Sequence, residues 1–391
     1  MVQGRADRRF RPLVERFNGM FRRPSHGGGA LAVHWRGEPV VDVWTGYADS
    51  VGERPWDHDT AAMSFSTTKG VVSTVVHRLV DRGLLDYDEP LATYWPAFEA
   101  LDKRHVTLRL LLSHQAGLHR IRGVVPGAED LLDHERIAEL VASQVPHKPQ
   151  RGGTGYHGLT FGWLLAGLVK TVTGMGLREA VDIELAKPLD LDGFWIGAPT
   201  AERHRVAELF PPMPKALGLD RIAGRVEANR RTRYLAEALL IDGFERLIFQ
   251  DPDRRILDTE MPAANGVFTA RSLARMYAAL ATDGSVDGVR VLSPETLHEA
   301  GRVQHRSRDY VLGLPMRWRL GYHQAFTMGR APAWKAFGHY GYGGSGAWAD
   351  PETGLSLAFV TNRLGSLTTP VGDVRLPRLS SAALTVVREQ G

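Results

Sequence analysis

The sequence predicts an α+β fold in which both ends of the chain form one body and a mostly helical region is inserted between them. Strand-like alternation appears near the start in "GALAVHWRGEPVVDVWTGYAD", helical periodicity dominates the middle, and strands return in the last third. The 391 residues, 43% of them hydrophobic, suffice for a large core. We therefore predict an α/β domain from residues 1–85 plus 262–391, a helical domain from residues 86–261, and an active site in the cleft between them.

The first predicted element is a helix within "MVQGRADRRFRPLVERFNGMFRRP". Its apolar residues recur at helical spacing and face away from the arginines: Phe10, Leu13, Val14, Phe17 and Phe21. We expect this helix to pack on the body of the fold, with a membrane-surface or targeting role as the alternative. The segment has no apolar core and no small-residue cleavage site, so it does not read as a secretory signal peptide.

Two strands and a long helix are expected next. The strands flank the turn Arg36-Gly37-Glu38. The helix begins at or just after Ser66 in "SFSTTKG" and ends at Gly83. Its apolar face is formed by Val71, Val72, Val75, Val76 and Leu79. This pattern places Ser66 at a helix N-terminus.

The middle of the chain contains three strongly helical stretches, "LRLLLSHQAGL", "GLTFGWLLAGLVKTVTG" and "RYLAEALLIDGFERL", with interruptions such as "LFPPMPKALG". Later, "KAFGHYGYGGSGAWADPETGLSLAFVTN" reads as a strand, a turn at Asp-Pro-Glu-Thr-Gly and a second strand. A helix near residues 380–388 closes the chain. The fold therefore returns to strands after a helical middle.

Composition excludes several classes of function. The chain has no cysteine, which rules out disulfides, thiolate catalysis and Cys-ligated metals. The net charge of +4 is modest and the basic residues are scattered, so we do not expect nucleic acid as a partner. No run of 18 apolar residues occurs, so we expect no stable membrane insertion. We further expect no cofactor, no metal and a cytoplasmic location.

Ser66 and Lys69 form the first chemically suggestive pair. Only seven of the 48 basic residues are lysines, so a retained lysine suggests a role that arginine cannot fill, such as losing its proton. On a helix, positions i and i+3 share a face, which brings a hydroxyl and an amine within hydrogen-bond range. A buried lysine can then serve as the base that activates a serine. The alternative is an ordinary N-cap serine beside a solvated lysine.

Two later features add to this pair. Tyr156 lies in the Gly-rich turn of "RGGTGYHGLTFGWLLAGLV", where a phenol near an amine could relay a proton to a leaving group. The stretch "FGHYGYGGSGAWADPE" is a Gly-rich strand whose backbone N–H groups could stabilise an oxyanion. The alternatives are a packed loop aromatic for Tyr156 and close strand-to-helix packing for the glycines.

Five segments in this order resemble the β-lactamase-related serine hydrolases: "SFSTTKG", "VTLRLLLSHQAGL", "GYHGLTFGW", "MPAANGVFTARSLARMYAAL" and "FGHYGYGGSGAWADPETGLSLAFVTN". The resemblance spans about residues 27–365 and is closest to the family VIII carboxylesterases. It implies the fold of class C β-lactamases and DD-peptidases, an antiparallel sheet flanked by helices with an inserted helical region.

The resemblance also implies residue roles. Ser66 would be the acylated nucleophile, Lys69 its base partner and Tyr156 the third catalytic member. His339 and Gly341 occupy the first and third places of the K-T-G element. The N–H groups of Ser66 and Tyr342 would form the oxyanion hole.

Two departures from the family pattern bear on the substrate. The tyrosine motif of β-lactamases ends in asparagine, whose place here is taken by Gly158, and the K-T-G lysine is replaced by His339, which is mostly neutral at pH 7. We therefore expect a serine carboxylesterase acting on a small-molecule ester or acyl substrate. Acyl transfer to a metabolite hydroxyl, amide hydrolysis of the β-lactamase or D-aminopeptidase type, and a catalytically inactive binding or scaffold protein are the alternatives. The natural substrate and the oligomeric state are left open.

Other motifs carry less weight. The spacing G-x-G-x-x-G at 341–346 is not expected to bind a dinucleotide, because a strand rather than a helix follows. Ser345 is not in a G-x-S-x-G elbow, no H-E-x-x-H occurs, and we expect His114 to be structural and Asn265 to be a turn residue. Three tryptophans are weaker candidates for substrate contact: Trp318, Trp334 and Trp348.

Overall fold

The computed structural model describes residues 2–22, 27–147, 153–211, 232–328, 332–365 and 373–390. Part of the predicted interruption "LFPPMPKALG" lies outside these ranges. The strands of the described chain are β1 Gln3–Ala6, β2 Gly28–Trp35, β3 Glu38–Gly46, β4 Ala62–Met63, β5 Phe194–Ile196, β6 Gly266–Phe268, β7 Ser285–Val286, β8 Val289–Arg290, β9 His305–Arg308, β10 Pro315–Trp318, β11 His323–Gln324, β12 Phe337–Tyr340, β13 Gly346–Asp350 and β14 Leu355–Thr361.

The α-helices in the same ranges are α1 Arg11–Asn18, α2 Thr67–Asp81, α3 Leu108–Leu112, α4 His134–Ala142, α5 Thr160–Thr173, α6 Leu177–Val181, α7 Arg233–Leu239, α8 Phe244–Phe249, α9 Ala270–Ala281, α10 Pro294–Gly301 and α11 Arg375–Arg388. Short 3₁₀ turns connect several of them, and one π-helical turn, Asp182–Ala186, extends α6.

A nine-stranded antiparallel sheet forms the centre of the fold, in the order β1-β3-β2-β14-β13-β12-β11-β10-β9. Strands from the two ends of the chain meet where β2 pairs with β14, with Ala32 opposite Ala358. Because both strands are almost fully buried, this junction holds the N-terminal and C-terminal segments together through hydrophobic burial as well as ladder hydrogen bonds. The predicted α+β class is confirmed, and strands from both ends of the chain share this sheet.

The hairpin between β2 and β3 forms at the predicted turn. Arg36 and Gly37 have positive φ values of 56° and 87°, as a type I′ turn requires. Its right-handed twist matches that of the two strands, so the turn supports their pairing.

One face of the large sheet is covered by helices from the two chain termini. The helix α1, preceded by a 3₁₀ turn, packs against α11 and buries the predicted residues Phe10, Leu13 and Phe17 completely. These rings join Leu31 and Phe359 of the sheet in one apolar cluster. The N-terminal helix is therefore part of the core, as expected for a packed helix.

The other face of the sheet carries α2 and α9. Helix α9 packs on β2, β13 and β14, whereas α2 packs on β12. Gly70 of α2 lies so near α9 that a Cβ there would come within 2.0 Å of the Tyr277 hydroxyl. This close packing fixes the position of α2 relative to β12, which is the relation on which the site depends.

The middle of the chain is mostly helical. Helix α5 is buried on nearly every side. A small sheet in the order β4-β6-β5 joins this region to the rest, because β5 belongs to it while β4 and β6 lie outside it. In the ranges described, no single helix has the length and apolarity to cross a membrane; α5 together with Leu177–Ala186 meets the test only as a pair bent by 79°.

Candidate active site

Ser66 lies at the start of α2, after a strained residue. Phe65 has a φ of 46°, a left-handed conformation that a bulky side chain adopts at a cost. Ser66 occupies the N-cap position, yet its hydroxyl makes no capping hydrogen bond. The alternative of an ordinary N-cap serine is therefore not what the structure shows, and the Oγ atom is available for other partners.

Lys69 follows one turn later and is completely buried. Its Nζ lies 2.9 Å from Ser66 Oγ and 3.0 Å from the carbonyl oxygen of Ala263. No carboxylate of the described chain forms a salt bridge with it. Burial without a counter-charge lowers the pKa of Lys69 well below its ordinary value, because the charged form loses its hydration. The amine is therefore suited to accept a proton.

Tyr156 reaches the same oxygen from a separate part of the chain. Its hydroxyl donates to Ser66 Oγ at 2.9 Å, and its ring centroid lies 5.1 Å from Lys69 Nζ. Burial raises the pKa of Tyr156 above its usual value, so the side chain keeps its proton at neutral pH. The structure thus brings together the three residues that the sequence singled out.

Asp309, which the sequence analysis did not identify, holds Tyr156 in place. Its carboxylate accepts hydrogen bonds from the backbone N–H groups of Tyr156, Val311 and Leu312 and from the indole N–H of Trp318. The Trp318 ring stacks on the Tyr156 ring at 5.6 Å with an interplanar angle of 5°. One buried acid thus orients both the backbone and the ring of Tyr156. The Asp-Tyr-Val-Leu-Gly segment resembles many surface turns, so its role had no clear signal in the sequence.

His339 belongs to β12 and lies near the Tyr156 and His323 rings. Its Nδ1 lies 3.1 Å from the carbonyl oxygen of Tyr340, which identifies Nδ1 as the protonated nitrogen. Its buried Nε2 has no partner among the described residues and is therefore an acceptor. Burial, and then the neighbouring His323 and Lys69, lower the pKa of His339 well below the ordinary histidine value. The position equivalent to the K-T-G lysine is therefore neutral.

Gly341 and Tyr342 lie beside the start of α2. A Cβ at Gly341 would come within 2.1 Å of the Ser64 carbonyl oxygen, so only glycine allows this approach. The Tyr342 ring contacts the Phe65 ring at 5.4 Å. The backbone N–H groups of Ser66 and Tyr342 make no hydrogen bond to any residue in the described ranges. Both N–H groups are therefore available to a ligand, and Ser66 and Tyr342 line the same cleft.

A cavity of about 460 Å³ opens beside Ser66. Its walls are apolar apart from the catalytic candidates, Glu245, His323 and Tyr340. Most of the apolar residues come from α7, α8, the turn before β10 and β10 itself: Leu235, Leu239, Leu240, Phe244, Ile248, Phe249, Leu312, Leu314 and Met316. Gly158 also lines it, and a Cβ there would lie 2.3 Å from Leu239 Cδ2. Leu239 thus fills the space that an asparagine would need.

Several sequence candidates lie outside the reacting centre. His114 is buried against the Tyr156 and Trp318 rings and accepts a backbone hydrogen bond from His157, which fits the expected structural role. Asn265 bridges Met261, Ile256 and Thr259, and so holds the loop whose Ala263 carbonyl contacts Lys69.

The remaining candidates divide by position. Trp318 lines the cavity, Trp348 is buried on the opposite face of the sheet, and Trp334 is exposed. Within the described chain, the side chains that could share a metal ion are Asp57, His58 and Asp59. They lie outside the cavity walls.

Known proteins resemble this chain over nearly its whole length. The protein family described as beta-lactamase matches residues 6–380. The esterase/beta-lactamase LipL of Mycobacterium tuberculosis is 44% identical over 404 residues, covering 100% of this chain and 90% of that protein. The crystal structure of a family VIII carboxylesterase superposes with a TM-score of 0.84 at 32% identity, covering 99% of this chain and 100% of that one.

A penicillin-binding protein homologue from Caulobacter crescentus gives a TM-score of 0.82 at 32% identity, with 99% of this chain and 100% of that chain covered. These similarities confirm the resemblance and the fold predicted from the sequence. The chain belongs to the beta-lactamase family of hydrolases.

Proposed function

We propose that this protein is a serine carboxylesterase that works through an acyl-Ser66 intermediate. The observation that carries the proposal is the position of Ser66 Oγ, 2.9 Å from both the Lys69 amine and the Tyr156 hydroxyl. Lys69 is buried, and this burial lowers the pKa of its amine well below the ordinary lysine value. This gives the serine a base within reach, which its own high pKa requires.

Acylation follows from this geometry. Lys69 takes the proton of the Ser66 hydroxyl as Oγ bonds to the ester carbonyl carbon, and the carbonyl oxygen becomes an oxyanion near the N–H groups of Ser66 and Tyr342. When the tetrahedral intermediate collapses, the carbon–oxygen bond to the alcohol breaks. The departing oxygen takes a proton from Tyr156, which regains one from the Lys69 ammonium.

Deacylation reverses the roles. A water molecule gives its proton to the regenerated amine and attacks the acyl carbon, and Ser66 leaves with a proton returned through the same groups. The products are a carboxylic acid and the free enzyme. No step needs a metal or a cofactor.

The walls of the cleft support uncharged esters as substrates. A substrate carboxylate would meet an apolar cavity and a histidine with a lowered pKa in place of a fixed cation. The names of the similar proteins, an esterase/beta-lactamase and a carboxylesterase, agree with this choice.

Replacement of Ser66 by alanine tests the proposal. We expect hydrolysis of p-nitrophenyl butyrate and labelling by a fluorophosphonate probe to be lost. Ser345→Ala is the matched control, because the Ser345 hydroxyl is buried and bonded to the Thr361 backbone. Turnover or labelling that survives in Ser66→Ala would assign the reaction to another residue.

The second candidate function is β-lactam hydrolysis, which the name of the 44% identical relative favours. Gly158 and His339 oppose it, since neither offers an amide partner or a cation. Nitrocefin turnover faster than ester turnover would reverse the order of the two functions.

Acyl transfer would be detected as a new ester when an alcohol is added during turnover.

A further inference from the structure

Three arginines share one face of the large sheet at its β9 edge. Arg317 of β10 lies directly opposite Arg306 of β9, and Arg308 is two residues further along the same strand. Because side chains alternate along a strand, all three project from the same face. Met316 and Trp318 project from the other face and line the catalytic cleft. The arginine face and the cleft are thus back to back at the end of the sheet.

These arginines form no ion pair with any residue of the described ranges. Like charges placed directly opposite each other destabilise an antiparallel pair, and a chain with 44 acidic residues could have balanced them. Arg308 donates only to the Gly313 carbonyl. No acidic side chain of the described chain lines the groove beneath them. The sheet edge therefore carries an unbalanced positive charge.

The positive charge also affects the pKa of Arg319, a neighbouring buried side chain. Burial first, and then Arg317 and Arg306, lower the pKa of Arg319 to about 10. The opposing attraction of Asp350 does not cancel this effect.

Apolar side chains border the same groove. Trp334 is 56% exposed, and the Arg317 guanidinium lies 4.2 Å from its ring centroid. Phe326 is 41% exposed and lines both the arginine groove and the catalytic cleft. A large exposed aromatic ring beside unpaired cations is typical of side chains at a membrane–water interface.

We propose that this surface, formed by Arg306, Arg308, Arg317, Trp334 and Phe326, docks the protein on anionic phospholipid. The arginines would meet lipid phosphates, and the two rings would enter the headgroup layer. Phe326 also lines the cleft, so the docking surface and the cleft adjoin at this ring. This is peripheral adsorption, without a membrane-spanning segment. The proposal does not depend on the chemistry assigned to Ser66.

The test is co-sedimentation with vesicles of phosphatidylcholine alone and of phosphatidylcholine with about one third phosphatidylglycerol, at low and high salt. We expect binding to the anionic vesicles only, weakened by salt. The variant Arg306→Gln/Arg308→Gln/Arg317→Gln should lower the partition coefficient about fivefold for each arginine removed. Trp334→Ala should weaken binding without changing its salt dependence.

The matched control is Arg5→Gln/Arg8→Gln/Arg16→Gln, which removes equal charge from the opposite edge strand β1 and from the 3₁₀ turn and helix that follow it. It should bind like the parent protein. Equal binding to neutral vesicles, equal loss in the control, or binding of duplex DNA with no binding of vesicles would each overturn the proposal. Far-UV circular dichroism and the thermal unfolding midpoint verify that each variant is folded. If the triple variant does not fold, Arg306→Gln and Trp334→Ala decide the question.

Discussion

Lys69 is the residue whose environment is most unusual for its type. Its primary amine is completely buried, and its partners are one hydroxyl and one carbonyl oxygen. It forms no salt bridge with an acid of the described chain. Such an environment disfavours the charged form of the amine. An arginine could not replace it, because guanidinium keeps its proton in proteins. Lysine is scarce in this chain, and position 69 is one where arginine could not take its place.

Lys69→Arg should lower kcat/KM for p-nitrophenyl butyrate by about a thousandfold, within the range that general bases contribute. In the parent enzyme, the lowered pKa of Lys69 means that activity rises with pH as the amine loses its proton and then levels off. The raised pKa of Tyr156 moves any decline well into the alkaline range. Lys170→Arg, at an exposed ion pair with Glu135, is the control. A pH profile that rises only near the ordinary lysine pKa would contradict this assignment.

We expect His339 to set the preference of the enzyme for neutral over negatively charged esters. His339→Lys would replace a neutral ring with a cation. We therefore expect it to raise kcat/KM for the p-nitrophenyl monoester of adipic acid relative to p-nitrophenyl hexanoate by about tenfold or more, the value of a charge-assisted hydrogen bond. His339→Gln adds no charge and should leave the ratio near that of the parent. An unchanged ratio in His339→Lys would show that another group sets the preference.

At the scale of elements, the site depends on the distance between α2 and β12. Gly70 permits the helix to approach α9, and Gly341 permits the end of β12 to reach the backbone before Ser66. At the other side of the cleft, the turn around Asp309 carries Tyr156 and Trp318 together. The positions of α2, the end of β12 and the turn around Asp309 are therefore fixed by close contacts, most of which involve the backbone.

Gly341→Ala tests this contact. A methyl group 2.1 Å from the Ser64 carbonyl oxygen must push β12 away from α2, at an overpacking cost of about 1–3 kcal/mol. We expect kcat to fall by at least tenfold and the thermal midpoint to drop. Gly19→Ala is the control, since its φ of −61° suits alanine and its nearest neighbour would lie at 3.4 Å. Full activity in Gly341→Ala would show that the oxyanion geometry does not need this approach.

At the scale of the whole molecule, the core contains many neutral histidines. Burial is the main cause that lowers the pKa of His77 to about 4, of His157 to about 3 and of His323 to about 4. In the unfolded chain each would titrate near 6.5. The unfolded state therefore binds more protons than the folded state in mildly acidic solution.

Acidification should therefore destabilise the fold. The free energy of unfolding falls as the pH drops below about 6.5, by roughly 1 kcal/mol per pH unit for each buried histidine, and the loss continues to about pH 4. Urea unfolding followed by circular dichroism at a series of pH values measures this slope. His77→Gln should make the slope shallower. Constant stability between about pH 7 and pH 5 would contradict the neutral state of these rings.

Much of the fold was predictable because its elements have strong local signals. The hairpin at Arg36-Gly37 needs positive φ, and α1 shows its apolar face directly in the spacing of Phe10, Leu13 and Phe17. The two-domain division stays a prediction. The triplet Ser66, Lys69 and Tyr156 was also visible, because these residue types carry reactive chemistry and stand in recognisable motifs.

Asp309, Leu239 and His323 were missed because their roles arise only from contacts between distant segments. Asp309 lies 153 positions from Tyr156, and nothing in the local sequence distinguishes it from a turn residue. The tautomer of His339 depends on the Tyr340 carbonyl and on its burial. The arginine face likewise exists only because β9 and β10 pair in one register.

The sequence by itself determined the class of fold, the family and the residues able to react, since these follow from periodicity, turn chemistry and motif order. Only the tertiary structure decided which groups are buried, which are paired and which lie opposite each other. Those relations set the proton state of Lys69 and the charge at the sheet edge, because desolvation and Coulomb interactions depend on distance in space rather than on separation along the chain.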